Sequence, residues 1–330
     1  MRHRSRISVK VILAIDGGGS RTRCLAIDQR GHVISQAETG PSNHLLVEAE
    51  IVARSLADAI DQTLSLGRLS HEDVACVSAG LAGVDFDDTG ASEMDEILNR
   101  LGFENPVING DMIIAHAGAL RLRPGVVALA GTGSVVLGVG DDGKRVKVGG
   151  WGPIYGDEGS AYRIGETSLR AAARAYDRRG PATALIDALL DALGLNEFSE
   201  TLSRVYVEGL EPREIAALSR VAYDVAEAGD EVAREIFFQA GDELAESVEA
   251  TVRQLTLGAH EVVVSYQGSV LESCRLLRER FIDKLKESIP KVTVVLPEFQ
   301  PVIGAYLLGC KASGWKVEAS TCQELKKASE

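Results

Sequence analysis

The chain has 330 residues, 45% of them hydrophobic and 25% charged, with a formal net charge of −13. At about 150 residues per domain this length suggests two domains with sizeable cores. The acidic balance argues against a nucleic-acid partner and against electrostatic attachment to anionic lipid.

Five cysteines, Cys24, Cys76, Cys274, Cys310 and Cys322, are odd in number and never at CxxC spacing. Zinc-ribbon and thioredoxin-type readings therefore lack support, and reduced thiols in the cytoplasm are the expectation. The basic start MRHRSRISVK is followed only by VILAI before Asp16, too short for a signal-peptide core. No apolar run reaches the roughly 20 residues that span a bilayer.

In chain order, VILAID (11–16), TRCLAID (22–28) and HVISQAE (32–38) read as strands of a meander, with GGGS between the first two. A Rossmann fingerprint needs its glycines to open a helix, and here a strand follows. A P-loop needs Gly-Lys-Ser/Thr, which is absent. What remains is a tight glycine turn whose N–H groups form an anion-binding concavity. Glycine is expected there because a side chain would block close approach and forbid positive φ.

Residues 45–67 carry apolar positions at helical spacing and predict a long amphipathic helix. DVACVSAGLAG (73–83) is a strand entering a loop, 91–102 a helix, PVIN (106–109) a strand, and 111–120 a helix with Asp111 in its first turn. GVVALAGTGSVVLGVGDDGKRVKVGG (125–150) then repeats the opening pattern of strand, glycine turn, strand, turn and strand. A recurrence of this kind suggests two related domains. Residues 160–258 are mostly helical; a strand (261–266), a helix (269–286), a strand (291–297) and a helix (301–313) close the pattern. The alternation gives α/β class.

Two strand–turn–strand units in a two-domain α/β chain match the layout of the actin-like ATPase superfamily. Within it, the sequence resembles the N-acetylglucosamine kinase and BadF/BadG-type ATPase family. The resemblance rests on DGGGSRT (16–22), GPSN (40–43), AGLAG (79–83), NGD (109–111), AGTGS (130–134), GGWG (149–152) and GDEGSAY (156–162), in order, with PVIGAYLLG near the C-terminus. It implies a ribonuclease H-like, two-domain actin-like fold with a cleft between domains. An N-terminal domain, 1–110, would be completed by a C-terminal helix at about 314–330. The second domain, 111–313, would carry a helical insertion at about 160–258. Where the family's adenosine-side motif reads Gly-Gly, this chain has Gln267-Gly268-Ser269.

The resemblance implies an ATP-dependent kinase that phosphorylates O6 of N-acetylglucosamine, glucosamine or glucose. It assigns ATP contacts to Gly18, Gly19, Ser20, Thr22, Gly131, Thr132, Gly133, Ser134, Gly268 and Ser269. Asp16 would hold Mg²⁺ through water, since Mg²⁺ takes few carboxylates and keeps several waters; its plain alternative is a turn residue. Asp111 would be the catalytic base, taking the proton of the sugar hydroxyl, and a helix N-terminus keeps such a carboxylate ionised. Its plain alternative is an N-cap.

Asn43, Asp111, Gly150, Trp151, Gly152 and Asp157 would contact the sugar; Trp151 serves equally as a core residue. Asp157 and the phosphate turns are expected to be separate elements, so that losing Asp157 spares nucleotide affinity. The C2 substituent is expected to be read by loops, 79–89 among them. The implied partner is a small-molecule sugar, with no nucleic acid and no membrane, and a homodimer is left open. The alternatives are an activator ATPase of the BadF/BadG type, which needs cysteines placed to hold an iron–sulfur cluster, and a non-catalytic sugar-binding regulator.

Overall fold

The computed structural model describes residues 9–84, 90–257 and 261–327. The first part of the chain runs β1 (Val11–Gly17), β2 (Thr22–Asp28), β3 (Val33–Thr39), α1 (Ala49–Gly67), β4 (Val74–Leu81), α2 (Ala91–Arg100), β5 (Val107–Gly110) and α3 (Asp111–Leu120). It continues through β6 (Gly125–Ala130), β7 (Ser134–Val139) and β8 (Arg145–Gly149). Five helices follow: α4 (Ala161–Tyr176), α5 (Leu185–Leu193), α6 (Thr201–Tyr206), α7 (Pro212–Glu227) and α8 (Glu231–Gln254). The remainder is β9 (Val262–Gln267), α9 (Ser269–Ser273), α10 (Arg275–Ser288), β10 (Val292–Val295), α11 (Pro301–Ala312) and α12 (Ala319–Lys327).

The chain forms two compact units, 1–123 with 296–330, and 124–295. The first sheet has the order β3-β2-β1-β4-β5, with an antiparallel meander β1–β2–β3 and parallel β1, β4 and β5. The second has the order β10-β9-β6-β7-β8 with the same directions. The repeat seen in the sequence is therefore a repeat of topology, although the two strand sets share few residues.

In the first unit the period-2 pattern of β1 serves two cores. Val11, Leu13 and Ile15 join Leu56 and Ile60 of α1 and Met94 and Leu98 of α2. Ile12 and Ala14 join Ile303 and Tyr306 of α11, Leu325 of α12 and Ile114 of α3. The second unit has one large core, in which Val126, Ala128 and Val136 of the sheet meet Phe237 and Leu244 of α8 and Phe281 of α10.

The boundaries differ from the expected 110 and 313. Helix α3 stays with the first unit and so does all of α11, because the two meet backbone to backbone. A Cβ on Gly118 would stand 2.7 Å from Gln300 O, and one on Gly304 would run into Ile114 O. Only glycine permits that approach, and it ties 301–312 to α3.

Two expected helices are also altered. Helix α1 starts at 49 rather than 45, because Asn43 Oδ1 accepts from Leu45 N (3.0 Å) while its backbone carbonyl accepts from Leu46 N and Val47 N. This side-chain turn competes with helix. The helix expected over 269–286 is broken at Cys274, whose ψ is 91°. Arg278 Nη1 donates to Leu271 O (3.0 Å) and Glu272 O (2.6 Å), satisfying the carbonyls that the break leaves over. Among the described residues, no helix is long and apolar enough to cross a membrane.

Candidate active site

In each unit the predicted site residues gather at the carboxyl ends of the parallel strands, where ligands of open α/β sheets bind. The first turn links β1 to β2. Gly18 N donates to Arg21 O (2.8 Å) and closes it, while Gly17 O accepts from Ala82 N (2.7 Å) and Gly18 O from Ser42 N (3.0 Å). A trans peptide points its carbonyl and N–H in opposite directions. The Gly19 N–H therefore points away from Ser42, and Gly19 and Ser20 are exposed at the tip.

None of Gly17, Gly18 and Gly19 has positive φ, contrary to expectation. Gly17 is required by packing, since a Cβ there would run into Ser42 Oγ and stand 2.6 Å from Leu81 Cδ2. Gly18 meets nothing nearer than Arg21 O at 3.6 Å, so the protein itself leaves that space open.

Thr22 does not reach a ligand. It is fully buried, and its hydroxyl is shared between Gly40 O and Ser42 Oγ, each at 2.8 Å. It anchors the 40–43 loop beneath the turn. Asn43 keeps its Nδ2 donors without a protein acceptor among the described residues, its Oδ1 being engaged with Leu45.

Asp16 is the last residue but one of β1, and Asp111 opens α3 directly after β5. Burial first, and then the charge of Asp111, push the Asp16 carboxyl up to about 6 against the opposing pull of Arg21 and Arg23. Asp111 is exposed and its Oδ1 accepts from Met112 N at 2.8 Å. Two carboxylates that repel each other beside backbone donors fit a hydrated divalent cation. His116 lies one turn further along α3 and is buried with the core.

The second turn links β6 to β7. Gly131 N donates to Gly133 O (2.9 Å). Gly131 O accepts from Ala161 N (2.9 Å) and Thr132 O from Tyr162 N (3.2 Å), two of the orphan donors at the start of α4. With both carbonyls turned to α4, the Thr132 and Gly133 N–H groups point away from it, an arrangement able to receive an anion.

Ser134, expected to touch the nucleotide, is occupied instead within the protein. Its N donates to Asp157 Oδ1 (3.2 Å) and its Oγ to Glu158 O (2.6 Å). Asp157 is thus not separate from the phosphate turn. It is only 8% exposed, lies at φ 59°, and sits so close under Gly133 that a Cβ there would be 2.9 Å from Oδ1. Burial raises its carboxyl above the ordinary range, with the Ser134 N–H pulling the other way.

Gly150 N donates to Ser134 O at 3.0 Å, and Gly150 and Gly152 have φ of 70° and 80°. Between them Trp151 is 65% exposed and stacks on Tyr155 with ring centroids 6.4 Å apart. It is therefore not a core residue. Arg163 Nη2 fixes the end of this loop through Gly156 O (2.8 Å).

Beside Thr132 and Ser269 lies a cavity of 550 Å³, of a size to take a nucleoside. Gly268 has φ 100°, and a Cβ there would stand 2.7 Å from Ala130 C, so β9 turns into α9 against the end of β6. The far wall comes from α7 through Arg213, Ala217, Arg220, Tyr223 and Asp224. Sequence reasoning missed these. The signal was present in the helical spacing of 213, 217, 220 and 224, which puts two arginines and an aspartate on one face.

A family model describing the BadF/BadG/BcrA/BcrD ATPase family matches residues 13–309. The chain belongs to this family. Among curated relatives, an N-acetylmuramic acid/N-acetylglucosamine kinase of Clostridium acetobutylicum is 33% identical over 91% of this chain and 98% of that protein. An N-acetyl-D-glucosamine kinase of Dictyostelium discoideum is 28% identical over 92% and 98%. A solved structure described as a putative N-acetylglucosamine kinase from Chromobacterium violaceum superposes with a TM-score of 0.72 at 22% identity, covering 91% of this chain and 99% of that one. This member of the BadF/BadG/BcrA/BcrD family thus has the two-domain actin-like fold of sugar kinases.

Proposed function

We propose that the chain is an ATP-dependent kinase that transfers the γ-phosphoryl group to O6 of a hexose or hexosamine. N-acetylglucosamine is the leading acceptor, given the names of its relatives in Clostridium and Dictyostelium. The observation that carries the reading is the acidic pair Asp16 and Asp111 at the strand ends beside the first glycine turn. A nucleotide-binding module alone has no use for a second, exposed carboxylate at the start of α3; a phosphoryl transferase needs one.

Asp111 accepts the proton of the attacking hydroxyl and orients its lone pair toward phosphorus. In the second unit the Thr132 and Gly133 N–H groups would donate to phosphate oxygens, where charge spreads during transfer; in the first, the Gly19 N–H is offered to an anion. Asp16 would hold Mg²⁺ through water, and the bound ion would neutralise phosphate charge. Asn43, the Gly150–Gly152 loop and Asp157 bind sugar hydroxyls. Asp157 keeps Oδ2 for this purpose while Oδ1 holds Ser134. The 550 Å³ cavity takes the adenosine, with Ser269 at its rim.

An iron–sulfur activator needs thiolate ligands. Cys24, Cys274, Cys310 and Cys322 are buried, and burial pushes the thiols of the first three up to about 12, 11 and 11. Nothing there favours that alternative. The test is a coupled assay across glucose, glucosamine, N-acetylglucosamine, N-acetylmuramic acid and mannose, with Asp111→Asn as control. Sugar-dependent ADP release with a phosphorylated C6 product is expected; ATP turnover indifferent to every sugar would remove the kinase reading.

A further inference from the structure

Ser134 is the first residue after the second glycine turn, and its polar groups are held by two loops, 157–158 and 150. Its N–H goes to the Asp157 carboxylate, its hydroxyl to the Glu158 carbonyl, and its carbonyl receives the Gly150 N–H. The turn ahead of it is closed by Gly131 N donating to Gly133 O and is tied to the first amides of α4. The α4 amides hold the turn from one side and Ser134, held by Asp157, continues the chain on the other, so the Thr132 and Gly133 N–H groups are placed by both.

The backbone at Asp157 points the same way. A φ of 59° is the left-handed region, which non-glycine residues adopt at a cost and Asp and Asn tolerate best. That conformation lets the carboxylate fold back under Gly133, where any side chain on Gly133 would collide with it. A solvated acidic turn would need neither the strain nor the burial.

We propose that Asp157 is a positioning residue for the nucleotide: its Oδ1, bonded to the Ser134 N–H, sets the phosphate-binding turn of 131–133 independently of any sugar. The inference deepens the kinase reading, because the same carboxylate then serves the acceptor sugar through Oδ2 and the donor nucleotide through Oδ1. It reverses the expectation that losing Asp157 spares nucleotide affinity.

The test is ADP affinity by calorimetry, with no sugar present, for wild type, Asp157→Gly and Asp157→Asn. Both replacements accept the left-handed backbone, so neither adds the strain that alanine would. Asparagine keeps a carbonyl acceptor for Ser134 N–H; glycine leaves that buried donor unpaired. Asp157→Gly should weaken ADP binding by about 10-fold or more, the size of an orphaned buried donor, and Asp157→Asn should stay within about 3-fold of wild type.

Wild-type affinity in Asp157→Gly would overturn the proposal, and so would an Asp157→Asn as weak as the glycine variant. Hydrogen exchange at the Ser134 amide of unliganded wild type gives a check that needs no variant: protection is expected, and free exchange would overturn it. All three readouts omit the sugar. Failure of the kinase reading would instead appear as sugar-independent ATP turnover with these nucleotide results intact.

Discussion

The two glycine turns share a sequence pattern and a place in a repeated topology, yet they are anchored by different chemistry. The β1–β2 turn rests on neutral hydroxyls, Thr22 and Ser42, both fully buried, and stands beside two carboxylates, Asp16 and Asp111. The β6–β7 turn rests on a buried carboxylate, Asp157, and on the amides of α4. In the proposed reading one unit keeps its acids for cation and proton chemistry; the other uses its acid to hold a backbone. Repetition of a fold therefore does not repeat the role of its aspartates.

The largest expected effect separates those roles. Asp111→Asn should lower kcat by at least about 10²-fold, the usual reach of a general base, while ADP affinity without sugar stays near wild type. Asp157→Gly should do the opposite to ADP affinity. Equal loss of nucleotide binding in both variants, measured by calorimetry, would erase the contrast.

Packing around the first turn gives the next effect. Gly17→Ala should cost about 1–3 kcal/mol of stability, as overpacking against buried Ser42 and Leu81 does. Gly19→Ala meets only Leu46 Cδ1 at 3.2 Å, so the melting temperature should barely move while the KM for ATP rises several-fold. Thermal melts beside ATP titrations decide it; an unmoved KM in Gly19→Ala would leave the turn without a phosphate role.

The smallest effect is electrostatic. Folding raises the Asp16 carboxyl from 3.8 to about 6, so the metal-free folded state binds the proton more tightly than the unfolded chain. Stability then falls as pH rises through that window and stays lowered above it. Asp16→Asn should match wild type below about pH 4 and melt higher above about pH 6. A stability difference independent of pH, followed by calorimetry in chelator, would contradict the burial of this charge.

Much of the architecture was legible because glycine and β-branched residues punctuate it plainly. The meanders at 11–39 and 125–149, the strand at 107–110 and Asp111 at the head of α3 all stand where their patterns put them. Two kinds of information were not local. Thr22 and Ser134 read as ligand donors because hydroxyls beside glycine turns usually are; only the return of 40–42 and 157–158 takes those hydroxyls away. The α7 wall of the 550 Å³ cavity was invisible for a similar reason, since Arg213 and Asp224 are surface-type residues until β9 and α9 arrive opposite them. Residues 85–89, part of the loop expected to read C2, lie outside the described residues.

The backbone contact of Gly118 with the start of α11 has a consequence for how the protein is made. The first unit is discontinuous in sequence, and one face of its sheet, Ile12, Ala14, Leu25 and Ile27, is covered by 299–325. On the ribosome that face is translated first and covered last, after the whole of 124–295 has emerged. Domains fold as units during synthesis, so the second unit, contiguous in sequence, completes first despite coming later. Limited proteolysis of chains stalled at residue 295 should cut 1–123 and spare 124–295. The 550 Å³ cavity and the braced turn lie wholly in that unit, so on the proposed reading the nascent chain would acquire its nucleotide site before a settled Asp16–Asp111 pair.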